Sequence, residues 1–117
     1  MNTATLQALV ARYAEAFEKA DIGIIEELYT ADAVVEDPVG TEPKVGIDAI
    51  KAFYQSAFDM GVKLEIDGLP RCAGNSVAFQ FHVVMTGMKI SPIDVFEVNE
   101  AGQIVRMRAY WGPENMS

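Results

Sequence analysis

The sequence predicts an α+β fold. Three helices in its first half pack on the concave face of a cone-shaped, curved, mostly antiparallel sheet. Two observations carry this. Apolar residues recur at three- and four-residue spacings up to about residue 58, then alternate every second residue from about residue 62. The 117 residues, half of them apolar and 22% charged, suit one globular domain spanning 1–117.

Leu6, Leu9, Val10, Tyr13 and Phe17 form the stripe of a first helix, with Thr3 or Thr5 as its expected cap. Asp21 is placed to cap a second, short helix with Ile24, Ile25, Leu28 and Tyr29 inward. A strand is expected over Ala33–Glu36. Pro38 stops it and restrains Asp37 to an extended backbone. Residues 40–46 read as loop, and Ile47, Ile50, Phe53, Tyr54, Ala57 and Phe58 mark a third helix. Val62, Leu64 and Ile66 then alternate with charged residues. Cys72 to Asn75 reads as a turn. Phe79, Phe81, Val83 and Met85 alternate along the next strand. Strands from about Lys89 to Val98 and from Gln103 to Trp111 complete a meander, joined by a turn at 99–102. A curved sheet crossed by helices leaves a pocket at its open end.

The net charge of −8, with no run of Lys or Arg, argues against a nucleic-acid phosphate track. The single cysteine, Cys72, forms no intrachain disulfide. The N-terminal stretch reads as an amphipathic helix instead of a signal peptide, and no apolar run approaches membrane-span length. A cytoplasmic protein is expected. One His and one Cys leave no metal cluster and no Cys–His or Ser–His–Asp pairing, and no Gly-rich phosphate loop is present. The chemistry on offer is carboxylate and phenol, with no cofactor expected.

Three polar residues fall in apolar registers. Tyr13 lies in the first helix's stripe, where a plain core tyrosine would also fit. Asp94 shares a strand face with Pro92, Phe96 and Val98, with no cation beside it. Buried there, it would keep its proton and act as a donor; at a bulged edge it would reach solvent. Asp37 shares a face with Val35 and Val39, and Glu36 points the other way. Asp37 is an inward carboxylate, or an Asp-Pro turn former. Tyr29 and Tyr54 also occupy apolar helical positions and need hydroxyl partners. His82 is expected to face solvent.

These residues carry a resemblance. Ala11-Arg12-Tyr13, Tyr29, Val35-Glu36-Asp37-Pro38-Val39-Gly40, Ala52-Phe53-Tyr54, Asp94-Val95 and Ala109-Tyr110-Trp111, in that order, resemble the ketosteroid isomerases of the NTF2-like (SnoaL-like) fold group. That family is itself a standing example of carboxyl pKa tuning. The resemblance implies that Asp37 is a general base, and that Tyr13 and a protonated Asp94 donate to a steroid's 3-keto oxygen. It implies that Tyr29 and Tyr54 hydrogen-bond onward to Tyr13. Trp111, Phe53, Phe81, Val83 and Met85 would line the steroid pocket. A homodimer is expected by the same analogy. The turn at Thr86-Gly87-Met88 is about one residue shorter than the family's, and Met60, Leu64 and Ile66 fall where the family varies.

Two alternatives stand beside it. One is another enzyme on the same cone, an epoxide hydrolase or polyketide cyclase. The hydrolase would want an Asp–Arg–Asp set deep in the pocket, which Arg12, Arg71, Arg106 and Arg108 do not obviously supply. The other is a non-catalytic binding or dimerisation module, which gives no reason for Asp37, Tyr13 and Asp94 to occur together.

Overall fold

A computed structural model describes residues 1–117. Helix α1 runs Thr3–Lys19. Its cap is Asn2, not Thr3 or Thr5: the Asn2 side chain accepts from the Thr5 backbone N–H at 2.8 Å. An extended residue just before the first turn is where a short polar side chain reaches the free amides, and both threonines lie already inside that turn. Helix α2, Ile22–Leu28, has the expected cap, with Asp21 accepting from the Gly23 N–H at 2.9 Å. Helix α3 is Ile47–Asp59. Each helix turns one apolar face inward.

The strands are β1 (Tyr29–Glu36), β2 (Lys44–Val45), β3 (Lys63–Ile66), β4 (Arg71–Ala73), β5 (Ser76–Met85), β6 (Met88–Ile90), β7 (Ile93–Val98) and β8 (Ile104–Tyr110). β1 begins four residues earlier than expected. Tyr29 closes α2 through its N–H to Ile25 O and opens the strand at once; half-buried Thr30 and exposed Ala31 and Asp32 carry no apolar alternation to announce it. The 40–46 loop holds the two-residue β2, and the Cys72 turn is flanked by β4. Both are too short to show a period. The single strand expected over Lys89–Val98 is two, β6 and β7, broken at Ser91-Pro92, because proline brings no N–H to a ladder.

The sheet order is β2-β1-β8-β7-β5-β3, with β4 and β6 also on β5. It is mostly antiparallel. The exception is β1, which runs parallel to β8 and ties the first half of the chain to its end. The ten-residue β5 changes partners halfway. Ser76–Gln80 pairs with β7, and Phe81–Val84 pairs with β3. That exchange curls the sheet around the helices. Tyr13, Phe17, Tyr54, Phe79 and Phe96 meet edge-on, or tilted in the Tyr13–Phe17 pair, with ring centroids 5.0–5.9 Å apart for these contacts. They close the deep part of the core and leave one end of the cone open. No helix is long and apolar enough to cross a membrane.

Candidate active site

The open end holds a cavity of about 390 Å³. Tyr13, Asp37, Phe53, Tyr54, Phe81, Val83, Met85, Asp94 and Trp111 all line it. Tyr29 does not: it stands behind Tyr54. Phe17, Ser56, Ala57, Met60, Val62, Ile90 and Pro92 complete the wall. The helical spacing of Phe53, Ser56, Ala57 and Met60 was the available signal for the α3 wall. Alternation had already put Pro92 on the Asp94 face, and Ile90, at the end of β6, lies two residues further back.

Strand alternation aims the two acids. β7 buries Asp94, Phe96 and Val98 on the concave face, and Asp94 is only 1% exposed. Its Oδ1 is buried without a hydrogen-bond partner. Burial is the main force holding its pKa well above the usual carboxylate range; the Asp37 charge adds to this, and the nearby Tyr13 hydroxyl opposes it. That shift favours the protonated form of Asp94, in which the carboxyl can donate a hydrogen bond.

Asp37 lies just past the end of β1, on the concave side with Val35. A cis peptide joins it to Pro38. The Trp111 indole Nε1–H donates to Asp37 Oδ1 at 2.8 Å, which fixes the carboxylate at the cavity wall. Burial raises the Asp37 pKa, while the indole hydrogen bond and the Lys44 charge pull it back. Glu36 faces the other way. It accepts from Arg106 Nη2 at 3.2 Å and lies 3.5 Å from Arg108 Nε, on the convex side. Those arginines are thereby held outside the cavity. Arg12 is engaged by Glu15 and Glu27, and no arginine lines the pocket.

Tyr13 donates to the Tyr54 hydroxyl at 3.0 Å, and Tyr54 shares a 2.5 Å hydrogen bond with Tyr29. Tyr54 is thus the middle of a three-phenol chain, and Tyr29 reaches Tyr13 only through it. Burial raises all three phenol pKa values well above the ordinary one, so each keeps its proton. His82 faces outward on the convex side as expected, half-buried against Asp67. Its Nδ1 lies 2.9 and 3.0 Å from the two Asp67 carboxylate oxygens.

A phenol and a neutral carboxyl share this apolar cavity with an ionisable carboxylate. Such a set can remove a proton from carbon and hold the charge that moves onto an oxygen.

Residues 10–107 match the family model of the SnoaL-like domain. The chain is 36% identical over 118 residues to a steroid Delta-isomerase of Nocardioides simplex, covering 97% of this chain and 95% of that one. It is 35% identical over 101 residues to the epoxide hydrolase LasB of Streptomyces lasalocidi, covering 78% of this chain and 36% of that protein. The solved structure of SalBIII, described as an epoxide hydrolase/cyclase-like enzyme in pyran ring formation in the polyether salinomycin, superposes with a TM-score of 0.90 at 30% identity. That match covers 96% of this chain and 94% of SalBIII.

Proposed function

The chain belongs to the SnoaL-like domain family, and from that premise we propose that it is a steroid Δ-isomerase converting 3-oxo-Δ5-steroids to their 3-oxo-Δ4 isomers. One observation carries the reading. In an otherwise apolar cavity, an ionisable Asp37 faces a proton-holding Asp94 and the Tyr13 phenol. The likeness to the Nocardioides enzyme along nearly the whole chain supports it.

The reaction needs one proton taken from the carbon between ketone and alkene and returned two carbons along. Asp37 is the base for both steps. Its burial raises its basicity toward what carbon deprotonation needs, and Trp111 keeps it aimed. As the proton leaves, charge moves to the 3-keto oxygen and forms a dienolate. Tyr13 and neutral Asp94 are the donors for that oxygen, in a site dry enough to strengthen each bond. Without ligand the Tyr13 proton is committed to Tyr54. To turn it toward the substrate, the chain reverses: Tyr29 donates to Tyr54 and Tyr54 to Tyr13. Phe53, Phe81, Val83, Met85 and Trp111 hold the skeleton by burial, worth roughly 25 cal/mol per Å². None of these steps requires a cofactor. A homodimer through the convex sheet face, where Ile93 and Tyr110 are exposed, completes the reading.

The likeness to LasB and SalBIII supports a second reading, acid–base epoxide opening. There Asp94 would protonate the epoxide oxygen and Asp37 would deprotonate the attacking hydroxyl. The absence of arginine from the cavity removes the arginine-assisted version of that chemistry. The two readings separate on substrate. Purified protein mixed with 5-androstene-3,17-dione is expected to raise the ultraviolet absorbance of the conjugated enone. A rate no greater than buffer, with turnover of an epoxy alcohol, would replace the first reading by the second.

A further inference from the structure

The edge strand β2 is turned inside out. Lys44 pairs with Val35, and Val45 pairs with Val34. Val35 is fully buried on the concave face, so its partner Lys44 rises on that same side, two residues from Asp37 along β1. The valine is the residue sent outward, and Val45 is 66% exposed. The Lys44 ammonium sits 5.0 Å from the centroid of the Phe53 ring, and Phe53 and Asp37 line the same cavity. Lys44 makes no ion pair; its only polar contact is a long one, 3.4 Å to the Glu42 carbonyl.

An inward charge on an edge strand is one way that sheets avoid pairing edge to edge. That role accounts for a lysine here, but not for its place over an aromatic wall of the cavity with no carboxylate neutralising it. We propose that Lys44 is a positioning residue for Asp37, its ammonium favouring the ionised carboxylate at the cavity wall and so extending turnover to lower pH. The inference rests on reading Asp37 as the base.

The groups around Asp37 leave Lys44 little competition. From α1 comes the Tyr13 phenol, from α3 Tyr54, from the start of β1 Tyr29, and from β7 Asp94. All of these are held protonated and neutral. The Trp111 indole donates a hydrogen bond without charge. Glu36 faces the opposite side with its arginines. Glu114 lies outside, beside Pro38 and Trp111. The Lys44 charge lowers the Asp37 midpoint, a smaller effect than burial and the Trp111 hydrogen bond.

The sign is fixed. The base works ionised, so turnover falls as pH drops through the Asp37 midpoint. Removing the cation raises that midpoint and moves the fall to higher pH. The test uses the full chain as wild type, Lys44→Gln and Lys44→Arg. The Asp37 carboxyl is titrated by carbon NMR at low and at high salt, beside kcat/KM against pH. In low salt, Lys44→Gln should raise the Asp37 midpoint by a few tenths of a pH unit, with kcat/KM following, and Lys44→Arg should restore it. In about 1 M salt the wild type and Lys44→Gln curves should converge, because screening then acts within about 3 Å. An unchanged Asp37 midpoint in low-salt Lys44→Gln would overturn the proposal. So would a loss of stability or new self-association with that midpoint unmoved, which would assign Lys44 to edge protection alone. The NMR titration reads Asp37 without substrate. A shifted midpoint without steroid turnover would therefore uphold the coupling and retire the isomerase reading.

Discussion

Asp94 shows how a residue's place in a strand sets its chemistry. Alternation along Ile93–Val98 put it in a core register, and the structure buries it with an unpartnered oxygen. The pattern could not choose between a buried acid and a bulged edge, because that depends on which strands flank β7. Phe79 on β5 and Ala109 on β8 pair with Asp94 from both sides, so β7 is not an edge at that position. Its raised pKa makes a prediction about stability. Burial favours the Asp94 proton in the folded state, and the unfolded chain releases it above about 3.9. Stability from this group is therefore present at low pH and declines as pH rises from there through the folded-state value. Asp94→Asn cannot lose a proton. Urea denaturation from pH 4 to 8 should show a flatter profile for the variant, with the difference from wild type growing toward neutral pH. Parallel profiles would mean that Asp94 is ionised in the folded protein. Lys44 is the residue-scale feature that the sequence concealed. Its inward face follows from pairing with Val35, a partner that no local pattern announces.

At the scale of elements, the helices were legible because each buries one face against the sheet, which leaves a 3.6-residue period in the chain. Their ends were less so. The α1 cap is Asn2, one residue ahead of Thr3 and three ahead of Thr5. Asn2→Ala should destabilise the fold by about 1 kcal/mol in chemical denaturation, and Asn2→Ser should recover most of it. Thr5→Val, which leaves the Thr5 backbone N–H in place, should not imitate the loss of the cap. Long alternating strands were equally readable, but β2 and β4 have two and three residues and carry no period. The break between β6 and β7 was present in the sequence as Ser91-Pro92, and a missing N–H explains it. Sheet order lay beyond local pattern. The parallel β1–β8 pair joins residues about seventy apart, and it places the Asp37 end of β1 near Trp111.

Across the whole molecule, the cone was legible from the order of helices and alternating strands, and the SnoaL-like match supports it. The cavity followed from the cone. Its occupant did not, since one architecture serves several reactions and only the site separates them. The convex sheet face makes a further prediction at this scale. Ile93 and Tyr110 are cross-strand partners, 44% and 46% exposed. If that face joins two copies, Ile93→Lys should shift the protein from dimer to monomer in sedimentation at micromolar concentration, with thermal stability reported alongside. A wild type that sediments as a monomer would contradict the dimer.

The central claim is that Asp37 carries the substrate proton between two carbons of a steroid. The most direct measurement compares wild type with Asp37→Asn on 5-androstene-3,17-dione, followed by enone absorbance, with binding of a phenolic steroid measured on the same samples. The expected result is enone formation by wild type, a loss of about 10²- to 10⁴-fold in Asp37→Asn, and retained binding of the phenol by both. Full activity in Asp37→Asn, or none above buffer in wild type, would contradict the account.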